Sequence, residues 1–130
     1  MAIIYLSGPI ADVTKEEASG WRNQAAEFLA DKGHKALDPL RRKNRDYRSI
    51  VEHDLNDVEK SDITLAYVPM GRQMIGTSME IFYANRILRR TVIVWGHHCK
   101  DTHPWIFQNA KHIFLPLEDA LDYIASNIKP

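Results

Sequence analysis

The chain is 130 residues long, and its 17 lysines and arginines are balanced by 17 aspartates and glutamates. Zero net charge argues against a nucleic-acid polymer or an anionic membrane surface as partner, and no apolar run approaches the ~20 residues of a membrane span. A single cysteine, Cys99, excludes an internal disulfide framework, and the short apolar opening without a basic n-region sets the expected compartment as the cytoplasm.

Ile3-Ile4-Tyr5-Leu6 is a short continuous apolar run that stops at Ser7-Gly8-Pro9, as a buried parallel strand does. Lys15 to Asp31 places Ala18, Trp21, Ala25, Phe28 and Leu29 at helical spacing, with Gly33 as a stop signal. Lys35 to Leu37 is a second, weaker strand. Leu40 to Tyr47 is polar and reads as a loop. Val51, Leu55 and Val58 predict a helix over 48–60, and Ile63 to Val68 a strand ended by Pro69. After a loop from Met70 to Gly76, Ser78 to Arg89 is apolar nearly all round, which predicts a well-buried helix. Thr91 to Trp95 is the clearest strand. A loop from His97 to Pro104, a short helix over Trp105 to Ala110, a strand at His112 to Leu115 and an amphipathic helix from Leu117 to Ile128 complete the chain. Short apolar strands alternating with helices predict a single α/β domain over 1–130, a doubly wound sandwich with a five-stranded, mostly parallel sheet. Ligands of such sheets bind outside the carboxyl ends of the strands, which here means Ser7–Val13, Pro39–Tyr47, Pro69–Thr77 and Gly96–Trp105.

Two carboxylates conflict with their surroundings. Asp54 falls between Ile50 and Val58 on the helical wheel, inside the apolar stripe, and an unpaired buried carboxylate is expensive. Asp57 lies at the edge of that stripe. Glu80 sits on the nearly apolar helix, and two readings compete for it. Thr77-Ser78-Met79-Glu80 matches a capping box, which would make Glu80 a helix cap. The same helix start, just beyond a strand and a glycine-containing loop, would equally place an ionised carboxylate at the ligand edge, where it could act as a nucleophile. Paired carboxylates are the machinery of glycosidic chemistry. Arg41, Arg42, Lys43 and Arg45 cluster on an edge loop, either solvated or holding a phosphate. His97, His98 and His103 crowd one loop with Cys99, but without a carboxylate partner they make a weak metal site, and no metal or organic cofactor is expected.

Three segments carry a resemblance: Ile4-Tyr5-Leu6-Ser7-Gly8-Pro9, His53-Asp54-Leu55-Asn56-Asp57-Val58, and Gly76-Thr77-Ser78-Met79-Glu80-Ile81-Phe82-Tyr83-Ala84. In order and spacing the chain resembles the nucleoside 2-deoxyribosyltransferase family, including its nucleotide N-hydrolase branch. The resemblance implies a flavodoxin-like five-stranded fold and cleavage of the N-glycosidic bond of a (2′-deoxy)nucleoside or its 5′-monophosphate. By position, Glu80 would be the nucleophile, Asp54 the aspartate near base and sugar, and Tyr5 the tyrosine that positions the nucleophile. Substrate contacts would come from Ser7, Gly8, Pro9, Ile10, Arg41, Asp57, Met74, Gly76 and Thr77. Met74, with Gln73 and Arg72 beside it, stands where transferases on free nucleosides often carry an aspartate. The expected reaction passes the sugar to another base. The alternatives are a nucleotide N-hydrolase that passes it to water and a non-catalytic nucleotide sensor. A phosphoribohydrolase of the cytokinin-activating type would need a Pro-Gly-Gly loop, which Pro69-Met70-Gly71-Arg72 matches poorly. The resemblance also implies a homo-oligomer in which residues near His103–Trp105 complete a neighbour's site.

Overall fold

The computed structural model of the chain describes residues 1–72 and 74–130. Among the described residues five strands form one sheet: β1 (Ile3–Ser7), β2 (Lys35–Leu37), β3 (Ile63–Tyr67), β4 (Thr91–Trp95) and β5 (His112–Phe114). Helices α1 (Lys15–Asp31), α2 (Ile50–Lys60), α3 (Ile75–Phe82), α4 (Pro104–Phe107) and α5 (Leu117–Asn127) connect and close them. The strand order is β2-β1-β3-β4-β5 and every pairing is parallel, where the sequence predicts a mostly parallel sheet. This is the flavodoxin-like order, and its chain reverses direction across the sheet between β1 and β3.

Alternation along the strands sorts the core into two layers. Ile4 and Leu6 of β1, Ile63 and Leu65 of β3 and Ile93 of β4 face α1 and α5, where Trp21, Ala25, Leu29, Leu117, Leu121 and Ile124 meet them. Tyr5, Ala66, Val92 and Val94 face the other way, onto Val58 of α2, Ile81 and Ala84 around α3, and Ile106 of α4. Tyr5 and Ser7 are two residues apart and therefore share that second face, under α3.

Three expectations need correction. Helix α3 begins at Ile75, so Thr77 lies inside its first turn; the residue preceding the helix is Met74, and its side chain makes no capping bond. The capping box is therefore absent, and Glu80 does not cap. The same helix runs on as a π-helical turn over Tyr83–Ile87 and leaves Met79 and Ile87 exposed, so it is not buried all round. On α2 the inward face carries Asp54, Asp57 and Val58, and Ser61 just past the helix end continues it at helical spacing. Val51, read as part of the apolar stripe, is 59% exposed. The polar stretch after β2 also contains a short 3-10 turn at Pro39–Arg41, with the Asp38 side chain capping it at Leu40 N. Among the described residues no helix is long and apolar enough to cross a membrane.

Candidate active site

Thr77, Glu80, Ile81 and Ala84 recur at i, i+3, i+4 and i+7, the spacing of one helix face, and Thr77, Ile81 and Ala84 are buried. Glu80 thus points inward, over the C-terminal end of β1. The Tyr5 hydroxyl donates to its Oε2 at 2.8 Å and the Ser7 hydroxyl donates to its Oε1 at 2.6 Å. Two donors on two oxygens fix the carboxylate plane. Burial pushes the Glu80 carboxyl up to about 7; the Ser7 and Tyr5 bonds hold it down, Asp54 adds to the rise, and Arg22 opposes it. The Tyr5 phenol is driven far above its ordinary value, first by burial and then by Glu80 and Asp54, so it stays a donor at every working pH.

These groups sit on the wall of a cleft of about 370 Å³ at the crevice between β1 and β3. The loop from Gly8 to Asp12 forms one side, and Met74 to Thr77 the other; Asp54 and Arg45 close the end. Asp54 Oδ2 accepts from Arg45 at 3.0 Å, while the buried Asp54 Oδ1 has no hydrogen-bond partner. Arg42 lies 4.0 Å from that oxygen. A buried carboxylate oxygen left free in a cleft is an acceptor waiting for a donor. A larger cleft, about 480 Å³, opens on the far side of Met74 and Ile75, between Pro69–Arg72 and His97–Trp105. It is lined by neither Glu80 nor Asp54, so the smaller cleft is the chemical one.

Of the residues singled out in the sequence, Glu80, Tyr5, Asp54, Gly8, Pro9, Ile10, Met74, Gly76 and Thr77 line this cleft. Ser7 is fully buried and spends its hydroxyl on Glu80. Gly8 is tight for a packing reason: a Cβ there would meet the Trp21 ring at 3.0 Å and Tyr67 Cβ at 3.2 Å. Arg41 and Asp57 are not brought to the cleft. Asp57 is fully buried and accepts four bonds from two guanidinium forks, Arg41 at 2.8 Å on both oxygens and Arg42 at 2.6 and 2.9 Å. Burial raises the Asp57 carboxyl, but the Arg42 and Arg41 bonds outweigh it and hold the group at about 2. Gln73 lies outside the described residues.

The histidine loop is engaged elsewhere. His97 Nδ1 lies 2.7 Å from the Val68 carbonyl and Nε2 lies 2.7 Å from Thr102 Oγ1, and His103 Nδ1 accepts from Trp105 N at the start of α4. Among the described residues no group of three or more His, Cys, Asp or Glu side chains is disposed to hold a metal ion.

Sequence reasoning missed Arg22 and Asp12. Arg22 is fully buried, donates to the carbonyls of Ala18, Leu6 and Gly8, and so pins the loop beside Glu80. Its signal was readable, because a cation stands between Ala18, Trp21 and Ala25 on the apolar face of α1. Asp12 lines the cleft with φ at +61°, a left-handed conformation that aspartate tolerates better than most residues. The sequence places it in the Ser7–Val13 edge segment but does not single it out.

Compared with known proteins, the chain matches no family model and no curated protein. Its fold matches solved structures over almost their whole length. A 2-deoxyribosyltransferase from Leishmania mexicana superposes with a TM-score of 0.79 at 15% identity, covering 98% of this chain and 99% of that one. A 2-deoxyribosyltransferase from Bacillus psychrosaccharolyticus gives 0.74 at 22%, covering 99% and 98%. The chain has the fold of the 2-deoxyribosyltransferases. A CMP N-glycosidase from Clostridium botulinum shares that fold too, with a TM-score of 0.69 at 14% identity over 97% and 99% of the two chains. The expected flavodoxin-like architecture is thus the one observed, and deoxyribosyltransferase and N-glycosidase chemistries both occur on it.

Proposed function

We propose that the chain is a member of the nucleoside 2-deoxyribosyltransferase family and cleaves an N-glycosidic bond by double displacement at Glu80. One observation carries the reading: a carboxylate whose two oxygens are each held by a hydroxyl donor, at the wall of a cleft over the sheet's switch point. That arrangement presents an oriented nucleophile without a metal.

In the first displacement a Glu80 oxygen attacks C1′ as the bond from C1′ to the base nitrogen breaks. The base departs with the bonding electron pair and takes up a proton, and an ester joins C1′ to Glu80. Asp54, with its free Oδ1 and its Arg45 partner, is the group that holds the base edge and passes to it a proton drawn from water. In the second displacement the nitrogen of another base attacks C1′ and gives its proton to water through Asp54, the ester bond breaks, and Glu80 leaves as a carboxylate. Water in that place makes the enzyme an N-hydrolase, a second reading that draws support from the fold shared with the CMP N-glycosidase.

Chromatography of deoxynucleosides, ribonucleosides and their 5′-monophosphates, with and without an added base, tests both readings. Exchange that requires the added base marks a transferase, and free base without it marks a hydrolase. Glu80→Gln should lower turnover by at least about a thousandfold, and intact-mass spectrometry of the wild type should show a glycosyl adduct. Full base release by Glu80→Gln would rule the mechanism out, and tight binding of substrate with no release by the wild type would identify a sensor.

A further inference from the structure

In doubly wound folds the loop after β1 and the N-terminus of the following helix are the usual seat of a phosphate, because free backbone N–H groups and the helix dipole face it. In this chain that corner is filled with negative charge. From Gly8 to Glu17 the sequence offers Asp12, Glu16 and Glu17 against Lys15 alone. Glu16 and Glu17 occupy the first turn of α1, where they offset its dipole, and Thr14 Oγ1 already takes the Glu17 N–H at 3.0 Å. Asp12 lines the cleft itself, which also holds Asp54 and Glu80.

Five arginines around this corner are committed elsewhere. Arg41 and Arg42 are both on Asp57. Arg45, which reaches the cleft, is on Asp54 at 3.0 Å, and Arg72 is on Glu17 at 2.5 Å. Arg22 is buried and bonded to three carbonyls. These five guanidinium groups are thus already engaged, and among the described residues three carboxylates line the cleft against one paired arginine.

We propose that this corner is a charge filter: the site takes an uncharged nucleoside and rejects its 5′-monophosphate, and Asp12 is the residue that sets the preference. The inference rests on the glycosidic reading of the same cleft and narrows it to one substrate class. A dianionic phosphate brought within several ångströms of Asp12 loses roughly a factor of ten in water, and more where the cleft excludes solvent.

The experiment measures kcat/KM for one 2′-deoxynucleoside and its 5′-monophosphate in parallel, with the wild type, Asp12→Asn and Asp12→Gly. Asparagine and glycine both accept the left-handed backbone at this position. The wild type should favour the nucleoside by about tenfold or more. Both variants should narrow that ratio several-fold, and added salt should narrow it in the wild type only. Equal or better use of the monophosphate by the wild type, or a ratio unmoved by either substitution, overturns the filter.

Calorimetric titration of Glu80→Ala with the same two ligands separates this inference from the reaction. If the wild type cleaves neither ligand but Glu80→Ala binds the nucleoside about tenfold tighter, the glycosidic reading fails and the filter stands. Equal or tighter binding of the monophosphate overturns the filter alone, and no binding of either ligand overturns both.

Discussion

At Glu80, two opposing demands meet. Burial favours the neutral acid, whereas a nucleophile must be a carboxylate. With its carboxyl at about 7, half the molecules are ready near neutrality, so the rate should rise through pH 6 to 8 and level off above. The groups around Glu80 divide by sign: Ser7, Tyr5 and Arg22 favour its charge, and Asp54 opposes it. Removing the donor in Ser7→Ala takes away a charge-assisted bond, which moves the acid limb of the kcat/KM profile upward by about one pH unit. The measurement needs a substrate with no titration of its own in that range. An unmoved limb would show that the 2.6 Å bond does not govern ionisation. Ser7→Thr, which keeps the hydroxyl, should bring the limb back.

Helix α2 and the loop before it are locked by Asp57. Its lowered value means the folded state binds this proton less readily than the unfolded chain does, so the ion cluster contributes stability above pH 4 that fades as pH falls through about 2. Asp57→Ala leaves Arg41 without its carboxylate and Arg42 with only the more distant Asp54, and should cost roughly 3 kcal/mol at pH 7, with the deficit shrinking in acid. Denaturant unfolding at pH 7 and pH 3 reads both numbers. How much of this element was legible can be stated from its residues. The helix itself followed from Val51, Leu55 and Val58, and the anomaly at Asp54 was visible on the wheel. The orientation was legible in part: Asp54 and Val58 do face inward, but so does Asp57, which arginines from another segment satisfy. Pairing across the chain leaves no trace in local spacing, so Arg41 and Arg42 read equally well as free phosphate ligands. Glu80 shows the converse. Its importance was legible from the motif, but the capping box that competed for it dissolved once the helix began two residues ahead of Thr77. A helix start inside Met70–Gly76 has no marker there, since Met74 offers no side-chain cap.

On the scale of the whole molecule, the helices beside the cleft expose an apolar face. Met79, Ile87 and Trp105 are more than half exposed, line one shallow depression with Phe82, and the Phe82 ring lies 6.2 Å from that of Trp105. Contiguous apolar surface of this kind marks a protein contact, and a second copy of the chain is the occupant we expect. Sedimentation should therefore show a dimer or larger assembly, and Trp105→Glu should shift it toward monomer while circular dichroism stays unchanged. A wild-type monomer at high concentration would remove this expectation. The sheet order has a consequence in time. Tyr5 and Ser7 lie 75 and 73 residues from Glu80 along the chain, and β1 gains its inner neighbour only when β3 has been made. Closing contacts so distant in sequence costs loop entropy. A chain that has not docked α3 over β1 leaves the nucleophile without its two hydroxyl donors, so glycosylation of Glu80 reports a chain in which that docking has taken place.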